Sequence, residues 1–139
     1  MTENLSNKTI VIVGAGPGFG RTLALQAAAQ GATVVVAART ESRVVEIAEE
    51  VRAAGGSAIA AAVDATDPES VRALRETVEG HTDAVHGLVY SAFAVPSMKP
   101  LAQTDHEQIS RGIDLSVLGA LRTTQELSLI HISEPTRPY

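Results

Sequence analysis

A glycine cluster between an apolar strand and an alanine-rich helix is the feature that most restricts the fold of this chain. Residues 8–13 (KTIVIV) form a short apolar and β-branched run, which predicts a strand buried on both faces. The segment GAGPGFG follows at residues 14–20, and helix-forming residues continue over 21–30. Glycines permit a tight turn, let the backbone approach a pyrophosphate and leave the N–H groups of the helix N-terminus free to bind it. The segment therefore predicts the first unit of a nucleotide-binding sheet.

The rest of the chain continues the alternation of strand and helix. Small and β-branched runs predict three more buried strands, separated by helical segments that carry capping residues and terminal glycines. We predict strands at 33–38, 58–63 and 85–90, and helices from Thr40 to about Ala54, from a cap at Asp67 to Glu79, and from a Thr104–Glu107 capping box to about Gln125. This order predicts an α/β fold, a Rossmann-type doubly wound parallel sheet with strand order 3-2-1-4.

Composition and charge argue against several kinds of function. The formal charge is -5 and no basic block alternates with aromatic residues, so we expect no nucleic-acid partner. Cysteine is absent and the four histidines have no ligand spacing, so we predict no disulfide, thiol nucleophile or metal site. The N-terminal MTENLSNKT lacks the apolar core of a signal peptide, and no apolar run reaches the about 20 residues of a membrane span. We therefore expect a cytoplasmic protein with no membrane partner.

The spacing of the glycines narrows the type of nucleotide site. A G-x-G-x-x-G pattern starting at Gly14 fails because its sixth position is Phe19, whereas G-x-x-x-G-x-G fits Gly14, Gly18 and Gly20. On this motif, residues 5–126 resemble the short-chain dehydrogenase/reductase family. The resemblance implies that Gly14, Gly18, Phe19 and Gly20 belong to the cofactor-binding turn of an oxidoreductase.

The residues after the second and third strands bear on which cofactor would bind. An acidic residue after the second strand would hydrogen-bond the ribose 2′-hydroxyl of NAD, whereas an arginine pairs with the 2′-phosphate of NADP. Ala38 stands at the acidic position and Arg39 follows it, so we predict NADP rather than NAD. The alternative is a solvated surface arginine. The resemblance further implies that Asp64 and Ala65 meet the adenine, the alternative being that Asp64 only caps the following turn.

The chain departs from the family pattern at the fourth strand and in the long helix. Residues 90–93 (YSAF) stand where the family has Asn-Asn-Ala-Gly, and of these only Ala92 is retained and assigned to the cofactor site. Val13 replaces a threonine of the glycine turn, and we expect its side chain to lie next to that of Tyr90. Ser116 stands where the resemblance implies a catalytic asparagine, and the alternative for this serine is a hydrogen bond to its own helix.

The family's catalytic pair is missing from the sequence. The resemblance implies a tyrosine that acts as general acid/base and a lysine four residues later that lowers the tyrosine pKa. Ala94 stands four residues after Tyr90, and Tyr139 is the last residue. We therefore predict no catalytic residue in this chain.

The final residues break the strand and helix pattern. Residues 127–137 (LSLIHISEPTR) resemble the conceptual translation of a sequencing adapter, so we interpret 1–126 as an NADP-binding Rossmann half-domain and 127–139 as a non-native tail. The alternative makes 129–133 a fifth strand with Ser133 as the catalytic serine. Under the first interpretation the sheet is truncated, and we expect the chain alone to be poorly soluble and inactive. Its long helix would expose an apolar stripe formed by Ile109, Ile113, Val117 and Leu121.

Three functional hypotheses remain at this point. The first is the cofactor-binding part of an NADP-dependent oxidoreductase that acts on a small carbonyl or alcohol substrate and whose intact form is a homo-oligomer. The second is a non-catalytic NADP-binding sensor or scaffold, which the changes at residues 90–93 and at Ser116 favour. The third is a Rossmann-like methyltransferase, which would need an acidic residue after the second strand, where this chain has Ala38 and Arg39.

Overall fold

The fold is built on one sheet of four parallel strands, and the computed structural model describes it over residues 4–94 and 97–131. Helices alternate with the strands along the chain, as the sequence predicts. The strands are β1 (Thr9–Val13), β2 (Thr33–Ala38), β3 (Ser57–Ala62) and β4 (Gly87–Tyr90). The helices are α1 (Phe19–Ala29), α2 (Glu41–Ala53), α3 (Pro68–Glu79), α4 (His106–Ile113) and α5 (Gly119–Ser128).

The strand order in the sheet is β3-β2-β1-β4, which confirms the predicted Rossmann-type topology. In register, Val11 of β1 lies between Val35 of β2 and Leu88 of β4. Val13 and Tyr90 are also register partners, and both belong to the same apolar cluster, so their predicted proximity is confirmed. The chain order reverses between β1 and β4, which is the position where open parallel sheets bind ligands.

Helices cover both faces of the sheet. One apolar layer joins α1 and α2 to the β1 and β2 side chains that include Ile12, Val34 and Val36. The other joins α3 and α5 to the opposite face, where Val11, Val13 and Val35 are buried. Residues of one strand alternate between the two layers because successive side chains point to opposite faces. Strands of small and β-branched residues therefore serve two cores at once.

The helix ends show which predicted caps form. Asp67 caps α3, accepting a hydrogen bond from the Glu69 amide at 3.0 Å, as predicted. The predicted capping box of Thr104 and Glu107 is wrong. Thr104 follows a 3₁₀ turn at Leu101–Gln103, and its hydroxyl donates to the Pro100 carbonyl at 3.0 Å. Asp105 is the N-cap of α4 instead, accepting from the Glu107 amide at 3.1 Å.

The predicted long helix is interrupted by a π-helical turn at Asp114–Leu118, which separates α4 from α5. The Tyr90 hydroxyl donates a hydrogen bond to the Leu115 carbonyl at this turn. A Cβ at Gly119 would collide with the same hydroxyl, so glycine at that position lets the tyrosine reach the helix. Insertion of a side chain at a helix carbonyl is a recognised cause of a local π turn.

The end of the described chain is helical rather than extended. α5 continues to Ser128, and a 3₁₀ turn follows at Leu129–His131. These three residues are therefore not part of a fifth strand, while residues 132 and 133 of that alternative lie outside the described residues. Within the described ranges no helix is long and apolar enough to cross a membrane.

Candidate functional site

A cavity of about 490 Å³ opens at the carboxyl ends of the four strands, and we call it the carboxyl-end cavity. Its walls come from the residues that follow each strand, because parallel strands all end at the same edge of the sheet. Four residues of the predicted site line it, namely Gly14, Arg39, Ala65 and Ala92. The sheet therefore brings together residues that are distant in sequence.

Gly14 occupies a position that only glycine fits. Its φ of +88° lies in the left-handed region that side chains disfavour. A Cβ at Gly14 would also collide with the Ala92 amide and lie 2.6 Å from the Ala92 Cα. The turn is fixed from the neighbouring strand, since the Ala37 carbonyl accepts from the Gly14 amide at 2.7 Å and from the Ala15 amide at 3.1 Å.

The other glycines of the turn divide into two kinds. Gly20 is needed for packing, because a Cβ there would lie 2.6 Å from the Ala15 Cα. Gly16 and Gly18 face open space, with no atom within 4 Å of where a Cβ would stand, so protein packing does not require glycine at either. Gly18 is the N-cap of α1 and supplies no side-chain acceptor, and the following Phe19 is 67% exposed. The first N–H groups of α1 therefore lack a side-chain partner at the cap.

Cationic side chains stand at the end of β2. Arg39 follows the strand directly, and Arg43 lies in the first turn of α2, with Thr40 between them at the N-cap. All three residues line the carboxyl-end cavity and are exposed. Arg39 was assigned to the site from the sequence, whereas Arg43 was not. The signal for Arg43 was its position one helical turn after Thr40.

Asp64 is half-buried in the turn after β3 and does not line the cavity, whereas the adjacent Ala65 does. One carboxylate oxygen, Oδ1, accepts hydrogen bonds from the Thr66 hydroxyl at 2.6 Å and the Thr66 amide at 3.0 Å. These bonds, aided by the charge of Arg39, lower the pKa of Asp64 against the opposing effect of burial. This geometry is the turn-capping alternative that the sequence left open, and contact with adenine stays a prediction.

The lowered pKa of Asp64 makes stability depend on pH on the acid side. Because the folded-state pKa lies below the unfolded one, the carboxylate contributes stability above the unfolded pKa, and this contribution is lost as pH falls through the folded pKa. Thr66→Val removes the hydroxyl donor, so below about pH 4 its free energy of unfolding should fall less steeply than that of the wild type. Urea titrations between about pH 3 and pH 7 measure both curves. Parallel curves would contradict the assignment.

The wall after β4 carries the residues that depart from the expected family pattern. Ser91 donates hydrogen bonds to the Val13 carbonyl, from its hydroxyl at 3.2 Å and from its amide at 2.8 Å. It therefore connects β4 to the start of the glycine turn. Ser91, Phe93 and Leu115 line the cavity and were not assigned from the sequence, because their position depends on long-range strand and helix packing.

Ser116 lies outside the carboxyl-end cavity. It lines a second cavity of about 600 Å³ beside α4, which shares Phe93 and Ala94 with the first. Arg122 of α5 holds its helix against the end of the sheet. Its guanidinium donates to the Asp114 carboxylate at 2.6 Å and to the Ala65 carbonyl at 2.9 Å. The two cavities are thus neighbours along one edge of the fold. No cluster of three potential metal ligands occurs among residues 4–94 and 97–131.

Comparison with known proteins identifies the relatives of this chain. The sequence model of the short chain dehydrogenase family matches residues 8–133. A short chain dehydrogenase/reductase of Macrophomina phaseolina is 32% identical over 117 residues, covering 84% of this chain and 67% of the relative. Hydroxysteroid dehydrogenase-like protein 2 of Rattus norvegicus is 30% identical over 131 residues, covering 89% of this chain and 25% of the relative.

Solved structures give the same result for the fold. A short-chain type dehydrogenase/reductase from Mycobacterium marinum superimposes with a TM-score of 0.85 at 30% identity, covering 92% of this chain and 51% of that one. A hydroxysteroid dehydrogenase from Escherichia coli gives a TM-score of 0.85 at 26% identity, with 92% and 54% coverage. The chain thus spans about half the length of these two structures.

Proposed function

The chain belongs to the short-chain dehydrogenase/reductase family, and from that membership we propose that it is the cofactor-binding part of an NADP-dependent oxidoreductase. The reaction is hydride transfer between NADP(H) and a small carbonyl or alcohol substrate. When bound, the nicotinamide donates or accepts the hydride. Family membership also leaves the methyltransferase hypothesis without support.

The glycine turn is the observation that carries this proposal. Gly16 and Gly18 leave the mouth of the turn free of side-chain atoms, although no neighbouring protein atom requires it. The N-terminus of α1 begins at this turn, and its positive dipole end and the Phe19 and Gly20 N–H groups, which no side chain caps, favour a pyrophosphate. Contacts within the protein do not explain why Gly16 and Gly18 lack side chains, whereas the close approach of a bound pyrophosphate would explain it. Gly14, Gly18, Phe19 and Gly20 would hold the pyrophosphate, with Ala92 below it.

The end of β2 supports NADP over NAD. Ala38 offers no carboxylate to a ribose 2′-hydroxyl, and Arg39 is exposed at the cavity wall. A guanidinium pairs with a phosphate through charge-assisted hydrogen bonds, which are about twice as strong as neutral ones. Asp64 and Ala65 would border the adenine from the neighbouring strand. We extend this to a cytoplasmic enzyme that assembles as a homo-oligomer in its intact form.

Replacing Arg39 tests the cofactor assignment. We expect the 139-residue chain to bind NADP⁺ about tenfold more tightly than NAD⁺, because one charge-assisted contact is lost with NAD⁺. Arg39→Ala should remove this preference by weakening NADP⁺ binding, while NAD⁺ affinity changes by less than about twofold. Isothermal titration calorimetry measures both. Lys8→Ala is the matched control, since it removes one exposed cation at the opposite end of β1. Equal affinity of the wild type for both cofactors would refute the NADP assignment.

A non-catalytic NADP sensor or scaffold is the second candidate. Ser116 in place of the expected asparagine and the changes at residues 90–93 favour it. We expect the 139-residue chain alone to show no NADPH-dependent turnover. In the intact protein an oxidoreductase would consume NADPH with a carbonyl substrate, whereas a sensor would bind NADPH without consuming it.

A further inference from the structure

The π turn at Asp114–Leu118 determines which side chains of the long helical segment face the carboxyl-end cavity. Leu115 lines that cavity, whereas the next residue, Ser116, lines the second cavity beside α4. A π turn contains one residue more than an α-helical turn, so closing it rotates the side chains on one side by about 100° relative to those on the other. Thr123 and Leu127 are buried and fix α5 in the core, so that rotation would fall on Leu115 and the residues before it.

A backbone hydrogen bond takes a different path at this turn. In a regular α-helix the Gly119 amide would donate to the Leu115 carbonyl, four residues earlier. Here the Gly119 amide donates to the Asp114 carbonyl, and the Tyr90 hydroxyl donates to the Leu115 carbonyl. A side-chain donor from the sheet thus takes the place of the α-helical amide. Without the hydroxyl, the α-helical bond from Gly119 to Leu115 would be favoured again.

The Tyr90 side chain is fixed by the sheet as well as by the helix. Its ring belongs to the apolar cluster that contains Val13, its register partner on β1. A Cβ at Gly119 would collide with the Tyr90 hydroxyl, so the hydroxyl fills space that this glycine leaves open. Burial raises the pKa of Tyr90, and the phenol therefore stays a protonated donor at neutral pH. The side chain connects the end of β4 to the π turn.

Arg122 holds the same turn from α5. Its guanidinium donates to the carboxylate of Asp114, the first residue of the turn, and to the Ala65 carbonyl. Ala65 follows β3 and, like Leu115, lines the carboxyl-end cavity. The π turn is thus bonded to residues at the ends of both β3 and β4, and these bonds fix the position of Leu115 relative to the sheet.

We propose that Tyr90 is a positioning residue of the cofactor site, because its hydroxyl maintains the π turn that places Leu115 in the cavity wall. The inference rests on the proposed NADP site and extends it to a side chain that does not line the cavity. Tyr90→Phe keeps the ring and removes the hydroxyl. NADP⁺ binding should weaken by about three- to tenfold, the size expected when one hydrogen bond is lost. The Leu115 methyl NMR signals of leucine-labelled protein, assigned by their absence from Leu115→Val, should shift.

Gly119→Ala tests the same contact independently. Its Cβ would displace the Tyr90 hydroxyl, so NADP⁺ binding should weaken as in Tyr90→Phe. In the double variant the hydroxyl is absent, and the nearest remaining atoms belong to Ala65 at 3.3 Å. Adding Gly119→Ala to Tyr90→Phe should therefore change the affinity by less than about twofold, a non-additivity that indicates direct coupling. Thr123→Val is the matched control and should bind like the wild type, because it removes a buried hydroxyl of α5 that lies outside the cavity.

Calorimetric titration with NADP⁺ and the Leu115 methyl signals distinguish the outcomes. If the wild type does not bind NADP⁺, the proposed cofactor site is wrong, and the role of Tyr90 is excluded with it. If the wild type binds NADP⁺ and Tyr90→Phe binds it equally well, the inference about Tyr90 alone is overturned. It is also overturned if affinity falls while the Leu115 signals stay in place, if Thr123→Val weakens binding as much, or if the losses from Tyr90→Phe and Gly119→Ala add in full.

Discussion

Gly14→Val is expected to lower the free energy of unfolding by about 2–5 kcal/mol. A left-handed backbone costs a side-chain residue about 1–2 kcal/mol, and overpacking adds about 1–3 kcal/mol. Gly14 has a φ of +88°, and its Cβ would collide with the backbone of Ala92 rather than with a flexible side chain. Because β1 and the segment after β4 meet at this contact, the two cannot separate without disturbing the sheet. Urea denaturation followed by far-UV circular dichroism measures the loss.

Gly16→Val is the matched control within the same turn. No atom lies within 4 Å of the position that a Cβ at Gly16 would occupy. We expect its free energy of unfolding to stay within about 0.5 kcal/mol of the wild type, as for most surface substitutions. The new side chain would nevertheless occupy the mouth of the cradle, so NADP⁺ binding should weaken by about tenfold or more. A Gly14→Val chain as stable as the wild type would contradict the steric assignment.

The apolar stripe is expected to control the solubility of the 139-residue chain. Ile109, Ile113, Val117 and Leu121 are 39%, 51%, 51% and 54% exposed, as the sequence predicted for this face of the helix. Contiguous exposed apolar surface promotes association. A variant carrying Ile109→Gln, Ile113→Lys, Val117→Gln and Leu121→Lys should raise the soluble concentration by about tenfold or more and shift the chain toward monomer. Light scattering after size-exclusion chromatography measures both.

A charge-matched control distinguishes the effect of the apolar stripe on solubility from the effect of net charge. Ser110→Lys with Thr124→Lys adds the same two positive charges at exposed positions of the same helical region and leaves the stripe intact. This control should behave like the wild type. If it improves solubility as much as the stripe variant does, net charge rather than apolar exposure explains the association.

The sheet was predictable from the sequence because its strands serve two cores. Runs such as TVVVAA at residues 33–38 have no polar face, which is the pattern of a parallel strand buried on both sides. Glycines and the Asp67 cap mark the intervening turns, and the predicted bounds of β2 and α3 agree with the structure. The strand order followed from the Rossmann-type fold that the glycine turn after the first strand indicated.

Other features depend on contacts that no local pattern reports. The π turn at Asp114–Leu118 accompanies a hydrogen bond from Tyr90, which is 25 residues away from Leu115 in sequence. The N-cap of α4 is Asp105 rather than the predicted Thr104, because Thr104 belongs to the end of the preceding 3₁₀ turn. The assignment of Arg43 to the cavity wall needed the position of α2 relative to the end of β2. In each case tertiary geometry decided between residues that local propensity treats as equivalent.

In the glycine turn, one property was predictable from the sequence and another was not. Its spacing indicated a nucleotide site, but spacing alone does not distinguish glycines that packing requires from glycines that keep space open. The structure assigns Gly14 and Gly20 to the first kind and leaves Gly16 and Gly18 unconstrained by neighbours. Substitutions at Gly14 or Gly20 should therefore affect folding, whereas substitutions at Gly16 or Gly18 should affect the proposed cofactor binding.

Hydrogen–deuterium exchange with and without NADP⁺ tests the central claim most directly, namely that the glycine turn and the end of β2 bind this cofactor. Peptides covering residues 14–20 and 37–43 should exchange more slowly when NADP⁺ is present, and those covering 37–43 should respond less to NAD⁺. Peptides covering α4 should not change. Slower exchange confined to α4, or no change at the glycine turn at saturating NADP⁺, would contradict the account.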